Sequence, residues 1–377
     1  MSDNVLANTV KAFLQPIRSY LEDPGVSEVM INGPKEIFYE RKGKLYRSET
    51  CFENDEQLMA AVRNIAQFVG RVVDEQRPTL DARLPDGSRI HIVIPPCARK
   101  GAYVAIRKFF REKLGIKDLI NFKSLSVDCA KFLNLCILLK KNLVVSGGTS
   151  SGKTTILNIL STLIPDDERI IVIEDASELQ LQKSHLVPME TRAPDKKGEG
   201  EVSMRELLRS SLRMRPDRII IGEVRGGEAL DLLQAMNTGH SGSMTTLHAN
   251  NPRQAMSRLE TLSLMSDVEL PHLAVKNQIA SAIDIVVQTS RLRDGSRRIT
   301  HLSEVVGLGP DGDYIIHDIF TYEILRADSE GNLIGLHRAA GILPSFFKEA
   351  KAQGFPCEES LFTASSKRGR NDQAEGG

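Results

Sequence analysis

The stretch "LVVSGGTSSGKTTI", residues 143–156, joins an apolar run to a glycine-rich turn, a lysine and two threonines. Its spacing, Gly147-x-x-x-x-Gly152-Lys153-Thr154, is that of a phosphate-binding loop between a buried strand and a helix. Glycines allow backbone N–H groups to turn inward onto a phosphate, and the N-terminus of the following helix adds partial positive charge. The stretch therefore predicts a nucleotide-binding α/β domain.

This loop supplies most of the predicted ligands of ATP and Mg²⁺. Lys153 is expected to reach the β- and γ-phosphates, and the Thr154 hydroxyl is expected to bind Mg²⁺. The predicted cofactor-binding residues are continuous in the sequence: Gly147, Gly148, Thr149, Ser150, Ser151, Gly152, Lys153, Thr154 and Thr155.

Carboxylates follow two further apolar runs. "RIIVIED" ends in Glu174 and Asp175, and "DRIIIGEVR" carries Glu223. Ligands of parallel sheets bind at the carboxyl ends of the strands, where one carboxylate can hold Mg²⁺ and another can orient the attacking water. The second run has Gly-Glu where Asp-Glu is usual, so we assign Glu223 to the metal and Glu174 to the water. The reverse assignment is also consistent, and each acid could instead cap the helix that follows it.

A histidine ends a fourth predicted strand. In "SGSMTTLHANNP" the ring of His248 could bond to a γ-phosphate or to a water-orienting glutamate, although a lone histidine in this place is often structural. It is a candidate catalytic residue.

Three arginines of the first hundred residues are further candidates. Arg83 and Arg89 flank a predicted hairpin in "DARLPDGSR", and Arg107 lies in the strand "AYVAIRKFF". Guanidinium groups from a second domain commonly stabilise charge on a transferring phosphoryl group. The alternative is an ordinary exposed sheet surface. Arg192, in "METRAP", is a weaker candidate.

The hydrophobic pattern divides the chain into two domains. Residues 1–110 read as a smaller α+β domain with hairpins and one helix, for which Asp55 is the predicted N-cap. Residues 111–124 read as a charged linker. Short apolar runs without alternation recur over residues 125–363, and they predict a mostly parallel sheet with helices on both faces. The polar residues 364–377 are predicted to be disordered.

Composition narrows the function classes. The 49 basic and 49 acidic residues cancel, there is no tryptophan and aromatic residues make up 5%, which argues against a nucleic-acid motor that stacks bases. Five scattered cysteines indicate free thiols in a reducing compartment. The N-terminus carries no secretory signal pattern, and no apolar stretch is long enough to span a bilayer. We expect a cytoplasmic protein that reaches the inner membrane only through partners.

Together the motifs resemble the type II/type IV secretion ATPase superfamily, and most of all its CpaF/TadA-like branch, which powers assembly of tight-adherence (Flp) pili. The resemblance rests on "SGGTSSGKTT", "IEDASEL", "RMRPDRIIIGEVRGGEALDLLQAMNTGHSGSMTTLHAN" and the upstream "DARLPDGSR" and "AIRKF". It covers about residues 20–300 in order.

The resemblance implies a homohexameric ATPase ring with an N-terminal sensing domain, a RecA-like domain, and membrane platform proteins as partners. Nucleotide would lie between the two domains, with Arg83, Arg89 and Arg107 reaching its phosphates. The family boxes would be the Walker A loop, an Asp box at Glu174 and Asp175, an atypical Walker B at Glu223 and a His box at His248.

Two departures limit the resemblance. Ser150 stands where a third glycine is common, and the tetra-cysteine zinc module of many pilus extension ATPases is missing. The main alternative is a VirB-type ATPase of type IV secretion or conjugation. More distant alternatives are a RecA-like nucleic-acid motor and a scaffold in which nucleotide only tunes assembly.

Overall fold

The computed structural model describes residues 2–41, 43–109, 114–192, 194 and 199–364, and of residues 2–6 it describes the backbone alone. The chain forms two compact units, residues 1–112 and 113–377. Of the predicted linker, residues 111–113 lie outside the described residues, and so does the predicted tail from residue 365 onward.

The first unit is a six-stranded antiparallel sheet with helices, in the order β3-β2-β1-β6-β5-β4. Its elements are α1 (Ser2–Phe13), α2 (Arg18–Glu22), β1 (Val26–Asn32), β2 (Ile37–Arg41), β3 (Lys44–Arg47), α3 (Asp55–Phe68), β4 (Thr79–Arg83), β5 (Arg89–Val93) and β6 (Tyr103–Arg107). Buried side chains of α1, α3 and the sheet share one core, which includes Val10, Val29, Leu58, Ile65 and Ile92. The α+β prediction for this part of the chain is confirmed.

The start of α3 differs by one residue from the prediction. Asn54 is the N-cap: its backbone is extended, with φ −158°, and its side chain accepts the backbone N–H of Gln57. Asp55, the predicted cap, is already the first helical residue. Both residue types can cap, but the hydrogen bond requires the side chain of the last non-helical residue, which is Asn54.

The second unit is built on a nine-stranded sheet in the order β15-β14-β13-β12-β7-β11-β10-β8-β9. The strands from β12 to β9 in that order are parallel, and β13, β14 and β15 are added antiparallel. The strands are β7 (Leu143–Gly147), β8 (Ile170–Glu174), β9 (Leu186–Glu190), β10 (Arg218–Ile221), β11 (Met244–His248), β12 (Ile285–Arg291), β13 (Arg297–Leu308), β14 (Tyr314–Ala327) and β15 (Leu333–Ala339). The helices are α4 (Ile116–Asn121), α5 (Val127–Leu138), α6 (Lys153–Thr162), α7 (Met204–Ser211), α8 (Glu228–Asn237), α9 (Pro252–Leu264), α10 (His272–Ala282) and α11 (Phe347–Ala352).

Both faces of this sheet are buried, which accounts for the apolar runs without alternation. Successive residues of β7 enter different cores: Leu143 and Val145 pack with α5 and α6, whereas Val144 packs with α7, α8, α9 and α10. Since side chains alternate between the faces of a strand, a sheet covered on both sides needs apolar residues at every position. The predicted doubly covered, mostly parallel sheet is confirmed.

Part of the predicted linker is a helix of the second unit. Residues 116–121 form α4, with Leu119 buried, and Leu125 joins the same core. The Asp118 carboxylate accepts the backbone N–H of Gly115 at 2.7 Å and so supports the first turn. The linker prediction is wrong for these residues because the charged residues Lys117 and Asp118 lie between two apolar residues, Ile116 and Leu119, that pack against the core.

The structure describes two features that the composition predicted, the state of the cysteines and the apolar content of the helices. All five cysteines are free thiols, and Cys129, Cys136 and Cys357 are buried. Burial raises the pKa of Cys129 to about 12, so this thiol is unreactive at neutral pH. Within the described part of the chain, no helix combines the length and the apolar content that crossing a membrane requires.

Candidate nucleotide site

The predicted functional residues of the second unit come together at the carboxyl edge of the parallel strands. In the order β8, β10, β11 and β7, these strands end in or are followed by Glu174, Glu223, His248 and Gly147, and β12 contributes Thr289 from within the strand. His248 and Thr289 lie directly beside Gly147 in register, one on each neighbouring strand. The sheet therefore places residues far apart in sequence around the phosphate loop.

The loop between β7 and α6 has the backbone of an anion-binding turn. Ser150 has φ 56° and Gly152 has φ 95°, so two residues adopt the left-handed conformation. A serine at position 150 carries this conformation where a third glycine is common. Thr154 is a half-buried residue in the first turn of α6, and Thr155 is exposed. Backbone turns of this kind direct N–H groups into a concavity that suits a phosphate.

The Lys153 side chain lies folded back over this loop and is 8% exposed. Its Nζ donates to the Gly148 carbonyl oxygen at 3.0 Å and lies 3.4 Å from both ring nitrogens of His248. Desolvation, and next the charge of Lys153, lower the pKa of His248 below its ordinary value. The ring is therefore neutral at pH 7 and can both donate and accept a hydrogen bond.

Glu223 completes the cluster with one engaged oxygen and one unengaged oxygen. Oε2 accepts Nε of Arg225 at 2.9 Å. Oε1 is buried, and among the described residues no group donates a hydrogen bond to it. His248 Nε2 lies 2.9 Å from Oε1 but is not aligned for a hydrogen bond. A buried carboxylate oxygen without a donor suits a water bound to Mg²⁺, so the residues present fit that ion.

Glu174 has a different environment. It is 4% exposed, and its Oε1 accepts the backbone N–H groups of Glu178 and Leu179 at 2.9 and 3.0 Å. A Cβ at Gly222 would lie 3.0 Å from Glu174 Cγ. This contact explains why the second acidic run reads Gly-Glu: an aspartate at position 222 would crowd the neighbouring glutamate.

Arg225 is the site residue that the sequence reading missed. Its guanidinium binds Glu223 and lies 3.5 Å from Asp175 Oδ2. The other oxygen of Asp175, Oδ1, accepts the Thr191 hydroxyl. Arg225 could have been predicted from the sequence, because it is a charged residue two positions after the acid in "GEVRGG". It links the acids that follow β8 and β10.

The three candidate arginines form one row across the sheet of the first unit. Arg83 pairs in register with Arg89, Arg89 with Arg107, and Arg107 with Glu28. Two of them have a carboxylate at the outer limit of an ion pair, at 3.8 Å for Arg89–Asp81 and 3.8 Å for Arg107–Glu28. Like charges directly opposite each other are unfavourable, so this row suits an anion. That these arginines contact the phosphates of a nucleotide stays a prediction.

Arg192, the weaker candidate, is engaged within its own loop. It forms an isolated β-bridge with Val202, and its Nε donates to the carbonyl of Gly200. A Cβ at Gly200 would lie 2.9 Å from the Arg192 guanidinium. These contacts favour a structural role for this arginine.

Gly147 and Gly148 give a matched test of the loop geometry. A Cβ at Gly147 would lie 2.4 Å from Ser151 Oγ and 2.5 Å from the Thr289 carbonyl oxygen, whereas a Cβ at Gly148 would have no atom within 4 Å. We expect Gly147→Ala to lower the melting temperature of the nucleotide-free protein by about 3–10 °C, the scale of overpacking by one methyl group. Gly148→Ala should melt within about 2 °C of the original chain. Equal melting temperatures for the two variants in a calorimetric scan would contradict this geometry.

The chain is similar in sequence to known proteins. The family model described as "Type II/IV secretion system protein" matches residues 11–302. A putative conjugal transfer protein of Mycobacterium tuberculosis is 33% identical over 301 residues, which cover 78% of this chain and 84% of that protein. The type IV secretion system protein VirB11 of Bartonella henselae is 32% identical over 338 residues, covering 80% of this chain and 94% of that protein.

A solved structure shares the fold at lower identity. The pilus retraction motor PilT, in a structure with bound ADP, has a TM-score of 0.53 and 20% identity, and the match covers 90% of this chain and 87% of that one. The family model and the sequence relatives confirm the predicted membership of the secretion ATPase superfamily. The chain belongs to the type II/IV secretion system protein family, and it is an ATPase in which a RecA-like domain follows a smaller α+β domain.

Proposed function

We propose that this ATPase binds Mg²⁺-ATP at residues 147–155 and uses the energy of hydrolysis to drive pilus assembly or protein secretion across the cell envelope. The observation that carries the proposal is the convergence of Lys153, His248 and the unengaged Glu223 oxygen at one edge of the sheet. A cation and a carboxylate at a phosphate loop are groups that phosphoryl transfer uses, and a neutral imidazole beside them can donate a hydrogen bond to the developing charge.

Each of these residues has a specific role in the proposal. Lys153 exchanges its contacts with Gly148 and His248 for the β- and γ-phosphates. The Thr154 hydroxyl and Glu223 Oε1 would hold Mg²⁺, Glu223 through a bound water, and the ion would supply positive charge that offsets the phosphates. His248, released from Lys153, donates a hydrogen bond to the γ-phosphate. Glu174 orients the attacking water.

The arginine row of the first unit would supply the second half of the site. Three cations in register form a rigid positive strip, and a strip of that kind stabilises negative charge that builds up during phosphoryl transfer. We propose that Arg83, Arg89 and Arg107 serve this purpose, and that six copies of the chain form a ring in which nucleotide binding closes the two domains on one another. The work would pass to platform proteins of the inner membrane, at whose cytoplasmic face the ATPase would operate.

Two machines are candidates for the partner. The "GEVRGGEAL…NTGHSGSMTTLHAN" stretch favours an Flp pilus of the tight-adherence type. The relatives named as VirB11 and as a conjugal transfer protein favour type IV secretion. We expect affinity purification of the full chain from its own cells to recover pilus platform proteins. Recovery of type IV channel components in their place would select the second candidate, and recovery of neither would count against both.

Removing the lysine tests the ATPase site directly. Lys153→Ala should lower kcat for ATP hydrolysis by about 10³-fold, because a preorganised charge next to a developing anion is lost. The measurement is phosphate release at saturating Mg²⁺-ATP, with Arg293→Ala, a substitution of an exposed arginine of the second unit, as a control of unchanged activity. Full turnover in Lys153→Ala would exclude this loop as the site.

The two glutamates can be separated by their response to Mg²⁺. Glu223→Gln should raise the Mg²⁺ concentration for half-maximal activity by about tenfold, since a metal-bound water loses a charged acceptor. Glu174→Gln should bind Mg²⁺-ATP within threefold of the original affinity and hydrolyse it about 10²-fold more slowly. The opposite pattern, with the Mg²⁺ requirement changed only in Glu174→Gln, would reverse the two assignments.

A further inference from the structure

The phosphate loop does not hold its conformation by its own contacts alone. Ser150 and Gly152 adopt left-handed backbone angles, φ 56° and 95°, and a non-glycine residue in this region carries conformational strain. Such a conformation persists only when neighbouring groups fix it. The neighbours that do so here belong to β12 and β13, which follow the loop by more than 130 residues.

Two side chains of this hairpin capture consecutive carbonyl groups of the loop. The Thr289 hydroxyl donates to the Ser151 carbonyl oxygen at 2.9 Å, and it is also within 3.3 Å of the Arg298 carbonyl oxygen. Arg297 Nε donates to the Ser150 carbonyl oxygen at 2.9 Å. Thr289 is 1% exposed, whereas Arg297 is exposed and its Cδ lies 3.4 Å from where a Cβ at Gly152 would be.

These contacts decide the direction of the loop N–H groups. In a planar trans peptide the C=O and N–H groups point in opposite directions. Holding the carbonyls of Ser150 and Ser151 toward the hairpin therefore turns the N–H groups of Ser151 and Gly152 away from it, toward the loop interior. The Ser151 N–H accordingly donates across the loop to the Gly148 carbonyl oxygen, at the long distance of 3.4 Å. A bound phosphate would replace this contact and accept from the N–H groups of Ser151 and Gly152.

The hairpin that supplies the donors is itself anchored near its turn by two contacts with other segments. Its turn is tied to β15 by the Asp294 carboxylate, which accepts the backbone N–H of Leu333 at 2.7 Å. The start of β13 is tied to the segment before α5, because the Ser124 hydroxyl donates to the Arg297 carbonyl oxygen at 2.7 Å and the Ile299 N–H donates to the Ser124 carbonyl at 3.0 Å. The donors are therefore attached to a supported element.

We propose that Thr289 and Arg297 are positioning residues of the nucleotide site, which hold the Ser150 and Ser151 peptide groups so that the loop N–H groups face the β-phosphate of ADP or ATP. The proposal rests on the nucleotide site assigned above and deepens it. It adds residues that lie outside every acidic, histidine and arginine motif of the sequence. Arg297 acts through the loop backbone, by its hydrogen bond to the Ser150 carbonyl oxygen.

The test measures ADP affinity by calorimetry in four full-length variants. Thr289→Val removes the hydroxyl at nearly constant shape, and Thr289→Ser retains it. Arg297→Ala removes the second donor, and Arg293→Ala removes an exposed arginine of the same hairpin. We expect the Kd for ADP to rise about tenfold in Thr289→Val and in Arg297→Ala, the scale of one positioning hydrogen bond. It should stay within threefold in the serine variant and in Arg293→Ala.

A second measurement separates positioning from a merely structural role. Because the loop would contact the β-phosphate equally in the bound and reacting states, KM for ATP should rise by the same factor as the Kd for ADP, with kcat changed by less than threefold. Arg297 is exposed, so its variant stays informative if Thr289→Val does not fold.

The outcomes are distinct. A lower melting temperature with unchanged ADP affinity in both Thr289→Val and Arg297→Ala would overturn the proposal and leave the ATPase site in place. An equal loss of affinity in Arg293→Ala would overturn it too, since the effect would then follow charge and not contact. Absence of ADP binding by the original chain would overturn the nucleotide site and this proposal together.

Discussion

The register of three parallel strands is the constraint on which the candidate site depends. With β7 between β11 and β12, Gly147 lies directly between His248 and Thr289. A glycine is required at this point because a Cβ would meet the Thr289 carbonyl oxygen at 2.5 Å. A shift of one residue in either neighbour would turn its side chains to the opposite face of the sheet. It would carry His248 away from Lys153 and Thr289 away from the loop.

The register also connects the acids to the loop. Glu174 ends β8 and Glu223 follows β10, which lies between β8 and β11 in the sheet. Arg225 joins Glu223 to Asp175, the residue after β8, and Gly222 leaves room for the Glu174 side chain. Buried carboxylates at a sheet edge are costly unless they have donors or a cation. Glu174 has backbone donors, whereas one oxygen of Glu223 has none among the described residues, which is why that oxygen is the proposed place for a metal-bound water.

The sequence predicted the features that depend on residues close together in the chain. The loop spacing predicted a strand, a turn and a helix, and the unbroken apolar runs predicted a sheet covered on both faces; both are present. Glu174, Glu223 and His248 could be placed at strand ends because each follows its own apolar run. The arginine row could be suspected from a hairpin, but its exact register across β4, β5 and β6 required the pairing of strands.

What the sequence did not predict depends on contacts between distant segments or on single side chains. Asn54 caps α3 because its backbone is extended, whereas the backbone of Asp55 is already helical. The helix α4 has only two apolar residues that pack against the core, Ile116 and Leu119, with two charged residues between them. Arg225 and the Thr289–Arg297 pair act through partners up to 147 residues away, and no spacing rule reports such pairs. Composition argued against a nucleic-acid motor, but it carries no information on whether the partner is a pilus or a secretion channel.

A structure of the full chain with Mg²⁺ and a non-hydrolysable ATP analogue would test the candidate site most directly. We expect Lys153 Nζ to leave the Gly148 carbonyl and the His248 ring for the β- and γ-phosphates, with Mg²⁺ beside Thr154 and a water between the ion and Glu223 Oε1. An analogue bound away from residues 147–155, or bound there with Lys153 still on Gly148 and His248, would contradict it.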